Sequence, residues 1–226
     1  MATPTSTPAA GAEAELRRRW RELAGVAASG AVGDEVVHEI IARHAEPHRR
    51  YHTVTHVIWV LRHIDQLVLR EAAFDIDAVI AAALFHDAVY DPRSSTNEPD
   101  SALIAKAALS RLGWASGTTS TVVELIEATA HLAEHGVAKH NLERRVLLDA
   151  DLAILGAPSR AYNSYVAGVR AEYAHVGDAQ WSEERAAVLH GLLARAQIFQ
   201  TDTMFNDREQ QARRNLATEL QTLTPP

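Results

Sequence analysis

Apolar residues recur every three to four positions through most of this chain, a spacing typical of amphipathic helices. No stretch alternates apolar and polar residues as a half-buried strand would, so the sequence predicts an all-α fold. The segments predicted as helices are Glu13–Ala28, a helix after Gly33 with Val36 and Ile40, a helix with Val57 to Val68, a helix that ends in the His86-Asp87 doublet, a helix ending at Gly113, Thr118–Ala133, Arg144–Leu155, a helix after Ser159, Glu183–Phe199, and a helix starting at Asn206.

The helix that ends in the His86-Asp87 doublet organises the rest of the chain. Its apolar stripe consists of Ile76, Val79, Ile80, Ala83 and Leu84. On a 3.6-residue period, the positions that continue this stripe are His86 and Asp87, so both side chains are predicted to point inward. A buried carboxylate needs a partner, because an isolated buried charge is strongly unfavourable. A metal ion is one such partner.

Composition narrows the class of protein. The chain has 226 residues, a hydrophobic content of 47% and a net charge of -7 without a basic run, which argues against nucleic-acid binding. The longest apolar run, residues 78–85, is too short to span a membrane, and no signal peptide is recognisable, so a cytoplasmic protein is expected. Residues 1–12 are predicted to form a disordered tail and residues 13–223 a single domain.

Any metal site in this chain must use His, Asp and Glu, because it contains no cysteine. His56 touches the apolar stripe of its helix and is better placed as a ligand than His52, four residues before it. Asp151 borders the buried face of its helix, whereas Asp149 points away from that face and is either solvated or orients a neighbour. His56, His86, Asp87 and Asp151 together suit Mn, Fe, Co, Zn or Mg.

The other histidines of the helical segments are given non-ligand roles. His38 and His44 are expected to be surface or packing residues, and His63 a surface residue.

The order of these residues resembles a known family. Tyr51-His52 with His56, then residues 82–87 ending in His86-Asp87, then Ala150-Asp151-Leu152, are similar to the H…HD…D signature of the HD-domain metal-dependent phosphohydrolases, an all-α superfamily. The closest resemblance is to predicted metal-dependent HD hydrolases. It implies a helical bundle with a metal site in the core, and it implies that His56, His86, Asp87 and Asp151 are the metal ligands.

The resemblance also implies a mechanism, the hydrolysis of a phosphate ester. The metal would lower the pKa of a bound water, Asp87 or Asp151 would accept the proton of that water, and His52 would protonate the leaving oxygen. His52 and His56 match the spacing of the H-N-x-x-H element in cyclic-nucleotide phosphodiesterases of the superfamily, although Thr53 replaces the Asn. Cyclic-nucleotide cleavage is not implied, because Ala88 and Val89 replace the residues that follow the doublet in that class.

Further residues are candidates for a second metal or for substrate contacts. His131 lies between the doublet and the final Asp as a second-metal ligand would, although the helical period places it on the opposite side from the core. Glu98 and Arg49 are the other candidates. Arg50, Lys106 and Arg170 are weighed as phosphate binders against ordinary surface roles.

Two other functions stay open. One is an oxygenase with a di-iron pair, which a site of histidines and carboxylates permits. The other is a non-catalytic HD module that binds a metal or ligand without turnover. The expected partner is a small phosphorylated molecule or nucleotide, with one or two metal ions, no nucleic acid and no membrane; a homodimer is left open.

Overall fold

A computed structural model of the chain describes residues 8–24, 30–72, 74–130 and 142–223. These residues form α-helices joined by short connections, and none of them lies in a β-strand. The α-helices are α1 Pro8–Ala24, α2 Ala31–His44, α3 Val54–Val68, α4 Ile76–Phe85, α5 Asn97–Arg111, α6 Ser116–Glu127, α7 Leu142–Asp151, α8 Ser159–Glu172, α9 Asp178–Ala194 and α10 Asp202–Leu223. A short 3₁₀ helix, Leu152–Gly156, follows α7. The prediction of an all-α fold is confirmed.

Helix α4 lies at the centre of the bundle. Its residues 81–85 are completely buried, as expected of a helix that is apolar on all sides. The helices α3, α5, α6 and α7 pack around it. Asp75 caps its N-terminus by accepting a hydrogen bond from the Ala78 amide. Because residues 81–85 are buried, the C-terminus of α4 lies inside the protein, and His86 and Asp87 follow it directly.

The N-terminal helix begins earlier than predicted. Helix α1 starts at Pro8 and not at Glu13, so residues 8–12 of the predicted disordered tail are helical. The reason is the alanines of this segment, which are good helix formers, the position of Pro8 in the first turn, where proline is tolerated, and Ala12, which lies in the core. Trp20 of the same helix packs edge-to-face on Phe85, with 6.2 Å between ring centroids, so α1 supports the residue beside His86.

Helices α8 to α10 form the C-terminal part of the described fold. Helix α10 packs on α9 and on the 3₁₀ helix that follows α7. A buried ion pair between Arg185 and Glu219, 2.8 Å apart, joins α9 to α10. Within the described ranges, no helix combines the length and the hydropathy that a membrane crossing requires.

Candidate metal centre

Four side chains meet where α3 begins and where α4 and α7 end. The Nε2 atoms of His56 and His86 are 3.2 Å apart. The Asp151 Oδ1 atom lies 3.2 Å from Nε2 of His56, and the Asp87 Oδ2 atom lies 3.1 Å from Nε2 of His86. The structure thus brings together the four residues predicted as ligands, from three helices that are distant in sequence.

The orientation of His86 leaves one nitrogen for the cluster. Its Nδ1 lies 2.9 Å from the Ala83 carbonyl oxygen, which has no hydrogen to give, so Nδ1–H is the donor. In the neutral ring, Nε2 therefore carries a lone pair directed at His56 and the two carboxylates. A hydrogen bond to a main-chain carbonyl is the usual way in which a metal-binding histidine is held in this tautomer.

The electrostatics of the cluster favour positive charge at its centre. Burial lowers the pKa of His86, but the carboxylates of Asp87 and Asp151 outweigh burial and raise this pKa well above its ordinary value. The same balance of burial and carboxylates raises the pKa of His56. Burial raises the pKa of Asp87. The charge of the neighbouring His86 and hydrogen bonds from the two imidazoles outweigh burial, and they hold the pKa of Asp87 well below its ordinary value.

A divalent cation fits this arrangement. One ligand atom each from His56, His86 and Asp151 lie within 4.8 Å of one another, and Asp87 Oδ2 is 3.4 Å from His56 Nε2. Two imidazole nitrogens and two carboxylates are a donor set for borderline or hard divalent metals. The imidazoles are buried, whereas the carboxylate side chains of Asp87 and Asp151 are 19% and 14% exposed. The site is thus reached from its carboxylate side.

His52 stands beside the cluster and is held by a residue that sequence reasoning missed. Its ring is 5.5 Å from that of His56, and its Nδ1–H donates to Oε2 of Glu172 at 2.8 Å. The Tyr90 ring stacks on His52 at 4.1 Å, and the Tyr90 hydroxyl donates to the same Glu172 oxygen at 3.0 Å. Among the described residues, no hydrogen bond uses Nε2 of His52.

Glu172 also organises the loop that leads to His52. Its Oε1 accepts hydrogen bonds from three successive amides, those of Arg50, Tyr51 and His52. Glu172 ends α8, three residues after the buried Val169. That helical spacing was the one signal in the sequence that this carboxylate faces inward; nothing in the sequence pairs it with His52.

The structure corrects two predictions about burial. Asp149 does not face solvent: it is fully buried, and its carboxylate accepts hydrogen bonds from Gln200 and Thr201. His63 is also buried, because its ring lies between the Trp59 carbonyl and the Arg208 guanidinium. Burial lowers the pKa of His63 to about 4. His44 packs in the interior, where its Nδ1–H donates to Ile40.

Of the residues proposed for a second metal or for substrate, Arg49 and Glu98 lie outside the four-residue cluster. Arg49 is buried and donates to the carbonyl oxygens of His52, Asp87 and Ala88, so its observed role is structural and a phosphate contact stays a prediction. Glu98 lies in the first turn of α5, and no contact between it and the cluster is present in the described ranges. His131 lies outside the described residues.

The buried Glu172 predicts an acid-sensitive contribution to stability. Burial raises its pKa, but hydrogen bonds and the charge of His52 outweigh burial and lower the pKa to about 2. The carboxylate therefore stabilises the fold by roughly 3 kcal/mol above pH 4.5, and this contribution is lost as the pH falls towards 2. The difference in unfolding free energy between the wild type and Glu172→Gln should shrink over that range in denaturant titrations. A difference that is constant with pH would contradict this account.

Comparison with known proteins gives one match. The model of the HD domain family matches residues 53–154, which run from the start of α3 to the 3₁₀ helix after α7 and contain all four residues of the cluster. No curated protein and no solved structure matches the chain. The helical fold, the converging histidines and aspartates, and the family match agree that residues 53–154 of this chain form an HD domain.

Proposed function

We propose that this protein is a metal-dependent phosphohydrolase that acts on a small phosphate ester or nucleotide. The observation that carries the proposal is the position of the His52–Glu172 pair beside the cluster of His56, His86, Asp87 and Asp151. A site that only stores a metal does not need a histidine in proton-transfer geometry at its edge. Phosphoryl transfer to water from an ester with a poor leaving group is accelerated by an acid that protonates the leaving oxygen.

The four cluster residues would hold the cation. When bound, a divalent cation supplies Lewis acidity, which polarises a phosphoryl oxygen and lowers the pKa of a water. The partly exposed carboxylates of Asp87 and Asp151 lie where an attacking water would approach, and one of them accepts the proton of that water as its oxygen bonds to phosphorus. His56 and His86, buried on the opposite side, keep the carboxylates in place.

His52 completes the reaction from the other side of the substrate. As the bond between phosphorus and the leaving oxygen breaks, the proton on Nε2 of His52 passes to that oxygen. Glu172 stabilises the imidazolium before the transfer, because its Oε2 accepts the Nδ1–H bond. The Tyr90 ring keeps the imidazole from turning away. The role of this acid depends on how basic the leaving oxygen is.

A substrate screen tests the proposal. Phosphate monoesters, nucleoside mono-, di- and triphosphates and cyclic nucleotides are incubated with the protein and Mn, Co or Mg, and phosphate or nucleoside release is followed. We expect turnover of at least one class that requires metal and disappears in His86→Ala. No turnover by metal-loaded protein on any class, or oxygen uptake that depends on iron, would contradict the proposal and favour a binding module or an oxygenase respectively.

A further inference from the structure

A cavity with Tyr90 and Glu172 in its wall lies outside the candidate metal centre. It has a volume of about 490 Å³ and is formed by the end of α2 and the loop after it, the loop after α4, and the end of α8. None of the four cluster residues lines it, whereas three arginines, Arg43, Arg50 and Arg93, and two histidines, His48 and His175, do. This density of basic groups is unusual for a chain with a net charge of -7.

The acidic groups in the wall of this cavity already have partners. Glu172 accepts from three amides, His52 and Tyr90. Glu46 pairs with Arg49 at 3.1 Å. Asp91 accepts a hydrogen bond from the Arg93 amide. Each of the three carboxylates in the wall therefore has at least one partner within the protein.

Two arginines of the wall have donors to spare. Arg50 donates only to the main-chain carbonyls of Pro47 and Arg49, and no carboxylate pairs with it in the described ranges. The guanidinium of Arg93 has no hydrogen bond or ion pair to any residue that the structure describes. Each guanidinium carries five N–H donors and no acceptor. These two guanidinium groups thus bring unused N–H donors to the cavity, and a ligand that accepts hydrogen bonds matches them.

A structural role explains other basic groups near the cavity, but it does not explain Arg50 and Arg93. Helices α2, α4 and α8 all end near the cavity, and their last carbonyls attract cations. Arg49 and His48 have a structural role of a related kind, since they donate to main-chain carbonyls of the loop after α4, those of Ala88 and Tyr90. Among the described residues, Arg93 caps no carbonyl, and Arg50 uses one of its terminal nitrogens for two carbonyls of its own loop.

We propose that Arg50 and Arg93 form a phosphate-binding site in this cavity, distinct from the candidate metal centre. A phosphate group presents several acceptor oxygens and negative charge, and paired guanidinium groups recognise it through charge-assisted hydrogen bonds. The volume of the cavity accommodates a phosphate with a small organic group attached. The bound phosphate belongs either to a free effector or to a second, unreacted phosphate of a substrate.

Calorimetric titration of the full chain with inorganic phosphate tests this site. Arg50→Gln combined with Arg93→Gln removes both cations, and Arg160→Gln, at an exposed arginine of α8 outside the cavity, is the matched control. The wild type, the double variant and the control all keep the metal centre, so any phosphate binding there is the same in the three proteins. Differences in phosphate binding between them therefore report on the cavity. We expect the double variant to bind phosphate about tenfold more weakly or worse, and the control to bind as the wild type does.

The outcomes separate clearly. The proposal is overturned if the double variant binds phosphate as the wild type does, or if the wild type binds none at millimolar concentration. Once the binding difference is established, the KM values of mono- and bisphosphorylated esters identify the source of the phosphate. A rise in the double variant only for bisphosphorylated esters assigns the site to the substrate, and unchanged KM values assign it to a free effector. Either result supports the site, and the calorimetry stands even if the proposed hydrolysis fails.

Discussion

Asp151→Asn should remove metal and activity, whereas Asp149→Asn should leave both largely intact and destabilise the fold. The two acids are two residues apart, but only Asp151 faces His56 and His86. Loss of an outer-shell partner of a metal site already costs roughly 10–100-fold in affinity or activity, and loss of a ligand should exceed this. Metal analysis and activity assays of both variants measure the first effect.

The effect of Asp149→Asn should appear in thermal unfolding. The Asp149 carboxylate accepts hydrogen bonds from the amides of Gln200 and Thr201 and from the Thr201 hydroxyl. An asparagine turns an amide NH₂ towards one of these donors, which costs about 2–3 kcal/mol and should lower the melting temperature by about 5–10 °C. If Asp149→Asn lost the metal and Asp151→Asn kept it, the assignment of the two acids would be wrong.

His52→Ala should keep its metal and lose most of its turnover on esters with a poor leaving group. His52 is 5.5 Å from His56 between ring centroids, and its Nδ1 is committed to Glu172, so we assign it proton transfer and not ligation. General acid catalysis contributes roughly 10²–10⁴-fold in rate. Rates with an alkyl phosphate and with an activated aryl phosphate, together with metal analysis, measure the effect.

The aryl phosphate is the internal control for His52→Ala. Its leaving group needs little protonation, so its rate should fall much less than that of the alkyl ester. The fold should survive the substitution, because Glu172 keeps its bonds to Arg50, Tyr51 and Tyr90. Equal losses on both substrates, together with loss of metal, would show that His52 is a ligand or a structural residue.

The sequence predicted the centre of the site because that part depends on local pattern. Helix α4 carries an apolar stripe that His86 and Asp87 continue, so the inward position of these two residues follows from periodicity. His56 and Asp151 lie at the edges of apolar stripes of their own helices, so periodicity also predicts that their side chains face the interior. Their meeting at one point is a tertiary fact, which the sequence indicated only through the resemblance to HD domains.

What the sequence did not reveal depends on partners far along the chain. Glu172 supports His52 from a distance of 120 residues, and Asp149 is buried because residues 200 and 201 pack over it. The start of α10 shows the same limit. Asn206 and Glu209 look like a capping box, but the helix begins at Asp202, and Glu209 instead accepts hydrogen bonds from the amides of Ile198 and Phe199. Local spacing carries no information about such contacts.

The metal content of purified protein tests the central claim most directly. Elemental analysis of the wild type, His86→Ala and Asp87→Ala, each after equal exposure to Mn or Co and removal of loose ions, measures the metal that the cluster retains. The wild type should retain a divalent metal, and both variants should retain none, because each loses a side chain whose donor atom lies within 3.4 Å of the His56 Nε2 atom. Full occupancy in both variants would contradict the metal centre.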